Sequence, residues 1–203
     1  MDHAQLRHLL DLGLDVVGGS VSATPADGWS APSPCDGWTA RDVLSHVTGT
    51  AAKALGVLTG DEYAGVPARP RDEAAASVVA HWHDLAAATR SAMMTADLDA
   101  VAETPRGPMP VATALRLPIA DFATHAWDIA AASGRSLELD PALLHHIREV
   151  CTAIPEDRLR APGLFAPEVA PRDGAGPTER LMAWLGRAAP DAGTFWTPRM
   201  PRT

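Results

Sequence analysis

The chain has 203 residues, 46% of them hydrophobic and 21% charged, with a formal net charge of −8. Such a composition excludes a disordered chain, and 17 Lys and Arg against 25 Asp and Glu exclude the basic face that a nucleic-acid binder needs. Cys35 and Cys151 are too few for a disulfide framework or a cysteine-rich zinc site, and no apolar run is long enough to cross a membrane. The start, Met-Asp-His-Ala-Gln, carries no basic stretch before an apolar one, so the expected place of work is the cytoplasm. The length points to a single domain over 1–203, with a core bundle over about 1–135 and a helical and loop extension over 136–203.

Alanine occupies 39 positions, which favours helix, and the apolar spacing is helical almost throughout. Leu6, Leu9, Leu10, Leu14 and Val17 form the stripe of a first amphipathic helix, which Gly18-Gly19 is expected to end. Residues 20–38 read as a loop. Thr39, with Asp42 three residues on, resembles a capping box. The second helix then runs to about Leu58, and Gly60 to Pro70 is a loop. Pro70 is placed to open a third helix with Val78, Val79, Trp82, Leu85, Ala86 and Met93 on its stripe. The stretch from Glu103 to Pro110 is a turn-rich break. A fourth helix carries Leu115, Ile119, Phe122, Ala126 and Ile129 and stops at Gly134; Pro118 within it marks a kink or the true start. A fifth runs through Leu143, Leu144, Ile147, Val150, Cys151 and Ile154. Residues 155–176 are loop-like, extended from Gly163 to Pro171, and a last helix opens at Pro177 and ends at Gly186. No strand alternates. The fold class predicted is all-α, a four-helix bundle with a C-terminal helical extension.

Phosphate loops, nucleophile elbows and the H-E-x-x-H zinc motif are all missing. The most informative stretch is Asp121-Phe-Ala-Thr-His125-Ala-Trp-Asp128. Residues i and i+4 on a helix lie about 40° apart and roughly 6 Å at Cβ, so Asp121 and His125 can reach one ion together. Helical bundles build metal sites from facing helices, and His46, at the edge of the second helix's stripe, is the candidate third ligand. The spacing alone equally fits a simple Asp–His ion pair and a packed histidine with one nitrogen bonded. His81 and His83 point to nearly opposite faces; His145 with Glu149 reads as a solvated pair; His3 and His8 sit on the flank of the first helix. Cys35, beside Asp36, is expected to be a structural thiol, and Cys151 a core residue. Trp38, Trp82 and Trp127 are candidate pocket walls.

Ser33-Pro-Cys-Asp-Gly-Trp-Thr-Ala-Arg-Asp-Val-Leu-Ser-His46-Val47 resembles the opening signature of the mycothiol-dependent maleylpyruvate isomerase N-terminal-domain family, a branch of the DinB-like bundles. Ala120-Asp-Phe-Ala-Thr-His-Ala-Trp-Asp-Ile-Ala-Ala-Ala-Ser-Gly134 resembles its second signature. The tail, Gly163 to Val169 and Glu179 to Arg187, is similar to the close of its single-domain members. The resemblance implies a divalent metal, of the zinc type, held by His46, Asp121 and His125. Asp121 stands where the isomerase itself has Glu, and the isomerase carries a separate C-terminal domain in place of this chain's short extension.

Three protein ligands leave a zinc-type ion an open position, the pattern of a catalytic site. A small thiol bound there loses its proton. Its thiolate can add to an activated double bond: departure after bond rotation gives cis–trans isomerisation, and retention gives an S-conjugate. By resemblance the thiol is mycothiol. Asp128 and Asp42 are the candidates to orient the two imidazoles, with Asp42 equally placed to serve as a cap. The partners expected are a small electrophilic substrate and the thiol, with no nucleic acid and no membrane; a homodimer stays open. A second reading is a helical small-molecule-binding protein, with or without a metal, and a third is a thiol-free isomerase or cyclase.

Overall fold

A computed structural model describes residues 1–61, 74–161 and 164–188. The helices are α1 (His3–Ser22), α2 (Ala40–Thr59), α3 (Ala75–Thr95), α4 (Val111–Ala114), α5 (Arg116–Ala132), α6 (Pro141–Thr152), α7 (Glu156–Leu159) and α8 (Pro177–Trp184). Two-residue strands β1 (Val101–Ala102) and β2 (Met109–Pro110) pair antiparallel across the turn-rich break. A single 3-10 turn, Gly28–Ser30, interrupts the loop after α1.

The four long helices close a ring. α1 packs on α5 and α3, and α2 packs on α3 and α5. Each turns its apolar stripe inward: Leu6, Leu10 and Leu14 from α1, Val43, Leu44 and Val47 from α2, Val78 and Trp82 from α3, and Ile119, Phe122 and Ile129 from α5. α6 then lies against α5 and α1, and α8 against α6. The all-α four-helix bundle with a C-terminal helical extension is therefore the fold, and no described helix is long and apolar enough to cross a membrane.

Helix ends follow local chemistry, with one exception. Thr39 and Asp42 make a complete capping box at the start of α2, and Gly60, at φ 76°, closes it. Pro118 sits in the first turn of α5, where a missing N–H leaves no helical bond unmade. The exception is Gly18-Gly19: α1 continues through both to Ser22. Val17 and Val21 are buried on the next turn and the Ser20 hydroxyl donates to the Ala126 carbonyl at 2.9 Å, so tertiary packing overrides the weak helix preference of glycine. The short α7 forms within the stretch expected to be loop. The expectations for Pro70 and Gly163 fall outside the described residues.

Candidate metal centre

Two helices carry the site. His46 stands in the second turn of α2 and Thr50 one turn later; Asp121, His125 and Asp128 follow at helical spacing on α5. Since α2 packs on α5, the two rows face each other. His46 Nε2 lies 3.1 Å from Asp121 Oδ2, and His125 Nε2 lies 3.3 Å from Asp121 Oδ1. The two imidazoles meet edge to face with centroids 4.9 Å apart. One ligand atom from each of His46, Asp121 and His125 lies within 4.8 Å of the other two.

Two donors bound about 2.0–2.1 Å from one tetrahedral zinc stand roughly 3.3 Å apart. The His–Asp separations here are of that size, and the donor set, two imidazoles and a carboxylate, suits a borderline divalent ion, so the residues present fit such a metal. The side chains of His46 and Asp121 are 24% and 25% exposed, which leaves the cluster open to solvent on that side.

The charges are set for a cation. Burial opposes ionisation of Asp121, but His46 and His125 beside it hold its carboxyl well below the usual carboxylate range. Burial likewise opposes a charged His125, yet Asp121's carboxylate and the bonds to Asp121 and Asp128 hold the imidazole well above its ordinary value. A metal ligand must be free of its proton, so binding of a divalent ion at such a cluster would release protons.

Behind His125 lies a second layer. His125 Nδ1 donates to Asp128 Oδ2 at 2.8 Å, which leaves Nε2 facing Asp121. Asp128 is fully buried, and Arg187 Nε donates to both of its oxygens at 3.0 and 3.1 Å. The Cys35 thiol donates to Asp128 Oδ2 at 3.1 Å. Burial and the Asp128 charge push that thiol up, against the pull of His125 and Arg187, so Cys35 stays protonated. Cys35, His125 and Asp128 form a second group of converging donors, but a cation there would face the Arg187 guanidinium. On the α2 side the Thr50 hydroxyl donates to Asp121 Oδ2 at 2.7 Å.

Other candidates fall elsewhere. Asp42 Oδ2 accepts from the Thr39 backbone and hydroxyl and Oδ1 from Arg41, so its carboxylate serves the cap, and His46 Nδ1 is buried with no partner among the described residues. Trp38 flanks the site, its ring 5.3 Å from His46 and 6.4 Å from His125. Trp82 is fully enclosed, edge to face with Phe122 at 6.0 Å, and faces the bundle core from the middle of the α3 stripe. Trp127 is buried in the hydrophobic core. His146, beside the exposed His145–Glu149 pair, is buried and donates to the Arg116 carbonyl. Cys151 is core, and burial raises its thiol to about 11.

Thr50 and Arg187 were not foreseen as site residues. Thr50 was findable, one turn beyond His46 on the same helix face. Arg187 closed the tail signature, but nothing local connects it with Asp128, 59 residues earlier.

Known proteins share this arrangement of helices. Crystal structures of the mycothiol-dependent maleylpyruvate isomerase and of a histidine-to-alanine mutant of it superpose with TM-scores of 0.57 and 0.60, at 16% and 17% identity, each match covering 75% of this chain and 70% of the other. Two uncharacterized proteins of Mycobacterium tuberculosis, from strains CDC 1551 / Oshkosh and ATCC 25618 / H37Rv, are each 31% identical over 175 residues, or 85% of this chain and 92% of theirs. The family model described as the mycothiol maleylpyruvate isomerase N-terminal domain matches residues 10–130, which include His46, Asp121 and His125. By that match, over more than half of its length, the chain belongs to the mycothiol maleylpyruvate isomerase N-terminal domain family.

Proposed function

We propose that this chain is a metal-dependent enzyme that activates a low-molecular-weight thiol, mycothiol by its family, for addition to, conjugation with or cis–trans isomerisation of a small electrophilic substrate. The observation that carries the reading is the convergence of His46, Asp121 and His125 on one point with an open side. A zinc-type ion held by these three residues would supply a Lewis-acid position at which a thiol is stable as its thiolate. The protein's own groups do the rest. Asp128 accepts the Nδ1 proton of His125 and so fixes which nitrogen faces the centre. Thr50 holds one oxygen of Asp121, while the other faces His125. Trp38 packs its ring against both imidazoles from one side. The cytoplasm, where small thiols stay reduced, is the compartment this chemistry needs. The proposal treats residues 1–203 as one domain.

The test has two arms. Purified protein is analysed for metal alongside His125→Ala. The native chain is expected to hold about one divalent ion and the variant to lose most of it with its helical circular dichroism intact. A variant that keeps a full equivalent overturns the site. Calorimetry with mycothiol then compares loaded and stripped protein in buffers of different ionisation enthalpy. Binding that needs the metal and releases a proton supports the thiol enzyme. No metal-dependent binding at millimolar thiol overturns it, and binding of small apolar molecules irrespective of metal would favour a binding protein instead.

A further inference from the structure

Arg187 lies beyond the stretch that the family model covers, yet it is buried beside the centre, 6% exposed. The chain is built to bring it there. α8 ends in a Schellman motif: Gly186 N–H bonds the Ala183 carbonyl and Arg187 N–H bonds the Met182 carbonyl, both at 2.9 Å. Gly186 has φ +80°, and a Cβ on it would fall 2.5 Å from the Ala166 carbonyl oxygen, so only glycine fits this turn. The turn reverses the chain and sends the Arg187 side chain back towards α5. There its guanidinium lies over the Phe165 ring at 5.1 Å, donates to the Leu185 carbonyl at 3.3 Å, and spans both oxygens of Asp128 through Nε.

Asp128 has no access to water, so its orientation is set by what bonds it. Among the described residues three donors do so: Arg187, His125 Nδ1 and the Cys35 thiol. Of these three, Arg187 alone contacts both oxygens and brings a compensating charge that no ligand of the centre has to give up. Without it, the buried carboxylate would keep His125 and the Cys35 thiol on Oδ2 alone, and its other oxygen would lose the contact that fixes the rotamer.

We propose that Arg187 is a positioning residue for His125: it clamps Asp128 in the rotamer that receives the Nδ1 proton, so the C-terminal extension completes the centre built by α2 and α5. The inference rests on the proposed metal site for only one of its two readouts.

The experiment compares Arg187→Met and Arg187→Lys with the native chain. The first readout, on metal-free protein, is the His125 Nδ1 proton in proton–nitrogen correlation spectra, slow to exchange when Asp128 holds it. The second is the affinity for cobalt(II), followed by its visible absorption. In Arg187→Met the protected proton is expected to vanish and cobalt affinity to fall about 10–100-fold, the range for loss of an outer-layer partner. Arg187→Lys keeps the charge but lacks the planar guanidinium that also lies over Phe165 and bonds the Leu185 carbonyl, so it is expected to fall between the two. If Arg187→Met fails to fold, Arg187→Lys decides alone. A protected proton and native cobalt affinity in whichever variant folds would overturn the proposal. If the native chain itself takes up no cobalt, the metal reading falls, and the proton readout still decides the role of Arg187.

Discussion

Asp121 answers to four groups at once: two imidazoles, the Thr50 hydroxyl and solvent on its open side. An aspartate side chain is short, so its reach is set by the backbone and its aim by its bonds. Thr50 supplies that aim from one turn beyond His46. Thr50→Val keeps the shape and removes the donor. Cobalt affinity is expected to drop about tenfold, with unchanged far-ultraviolet circular dichroism; native affinity in that variant would assign Thr50 to packing alone. At this scale the sequence was informative where spacing was local. Asp121 and His125 are one turn apart, and their pairing follows from helix geometry. Asp42 was ambiguous for a physical reason: a carboxylate three residues after Thr39 bonds the helix start before it can reach a ring a turn later.

The helices were legible because their stripes are regular, and their ends because Thr39, Pro177 and Gly134 act through local backbone chemistry. Gly18-Gly19 misled because α1's continuation is decided by α5, which no local pattern reveals. The cap of α2 lends itself to a pH experiment. Burial raises the Asp42 carboxyl, but bonds from Thr39 and Arg41 outweigh this and hold it below the ordinary 3.8. A lowered folded value means stability that is present above the unfolded value and is lost as pH falls through the folded one. Asp42→Asn is expected to flatten that acid slope in thermal melts, and Thr39→Ala to cost about 1 kcal/mol at neutral pH. An unchanged slope in Asp42→Asn would deny the box its role.

Across the whole molecule, Phe122 joins three of the four long helices. It stands on α5, meets Trp82 of α3 at 6.0 Å and closes on Gly13 of α1, where an added Cβ would lie 3.4 Å from its own. Phe122→Ala is expected to cost about 3–5 kcal/mol and lower the melting temperature by roughly 10 °C. A loss below about 1 kcal/mol in denaturant unfolding would mean that the core closes over the gap. The ring of four helices and α8 itself follow from amphipathic spacing, but the burial of Arg187 behind them does not. Arg187 is polar, follows a glycine and has no periodic partner, so its burial depends on a carboxylate already enclosed in another element.

The Schellman turn after α8 also imposes an order in time. A ribosome releases α1, α2 and α5 first, with Asp128 already in place and its counter-charge not yet made. Helices that pack as they emerge can close the ring while that carboxylate still shares its oxygens with Cys35 and His125 alone. Gly186 and Arg187 leave the tunnel after every other member of the centre. By this order α8 and Arg187 join a bundle whose four long helices have already been synthesised.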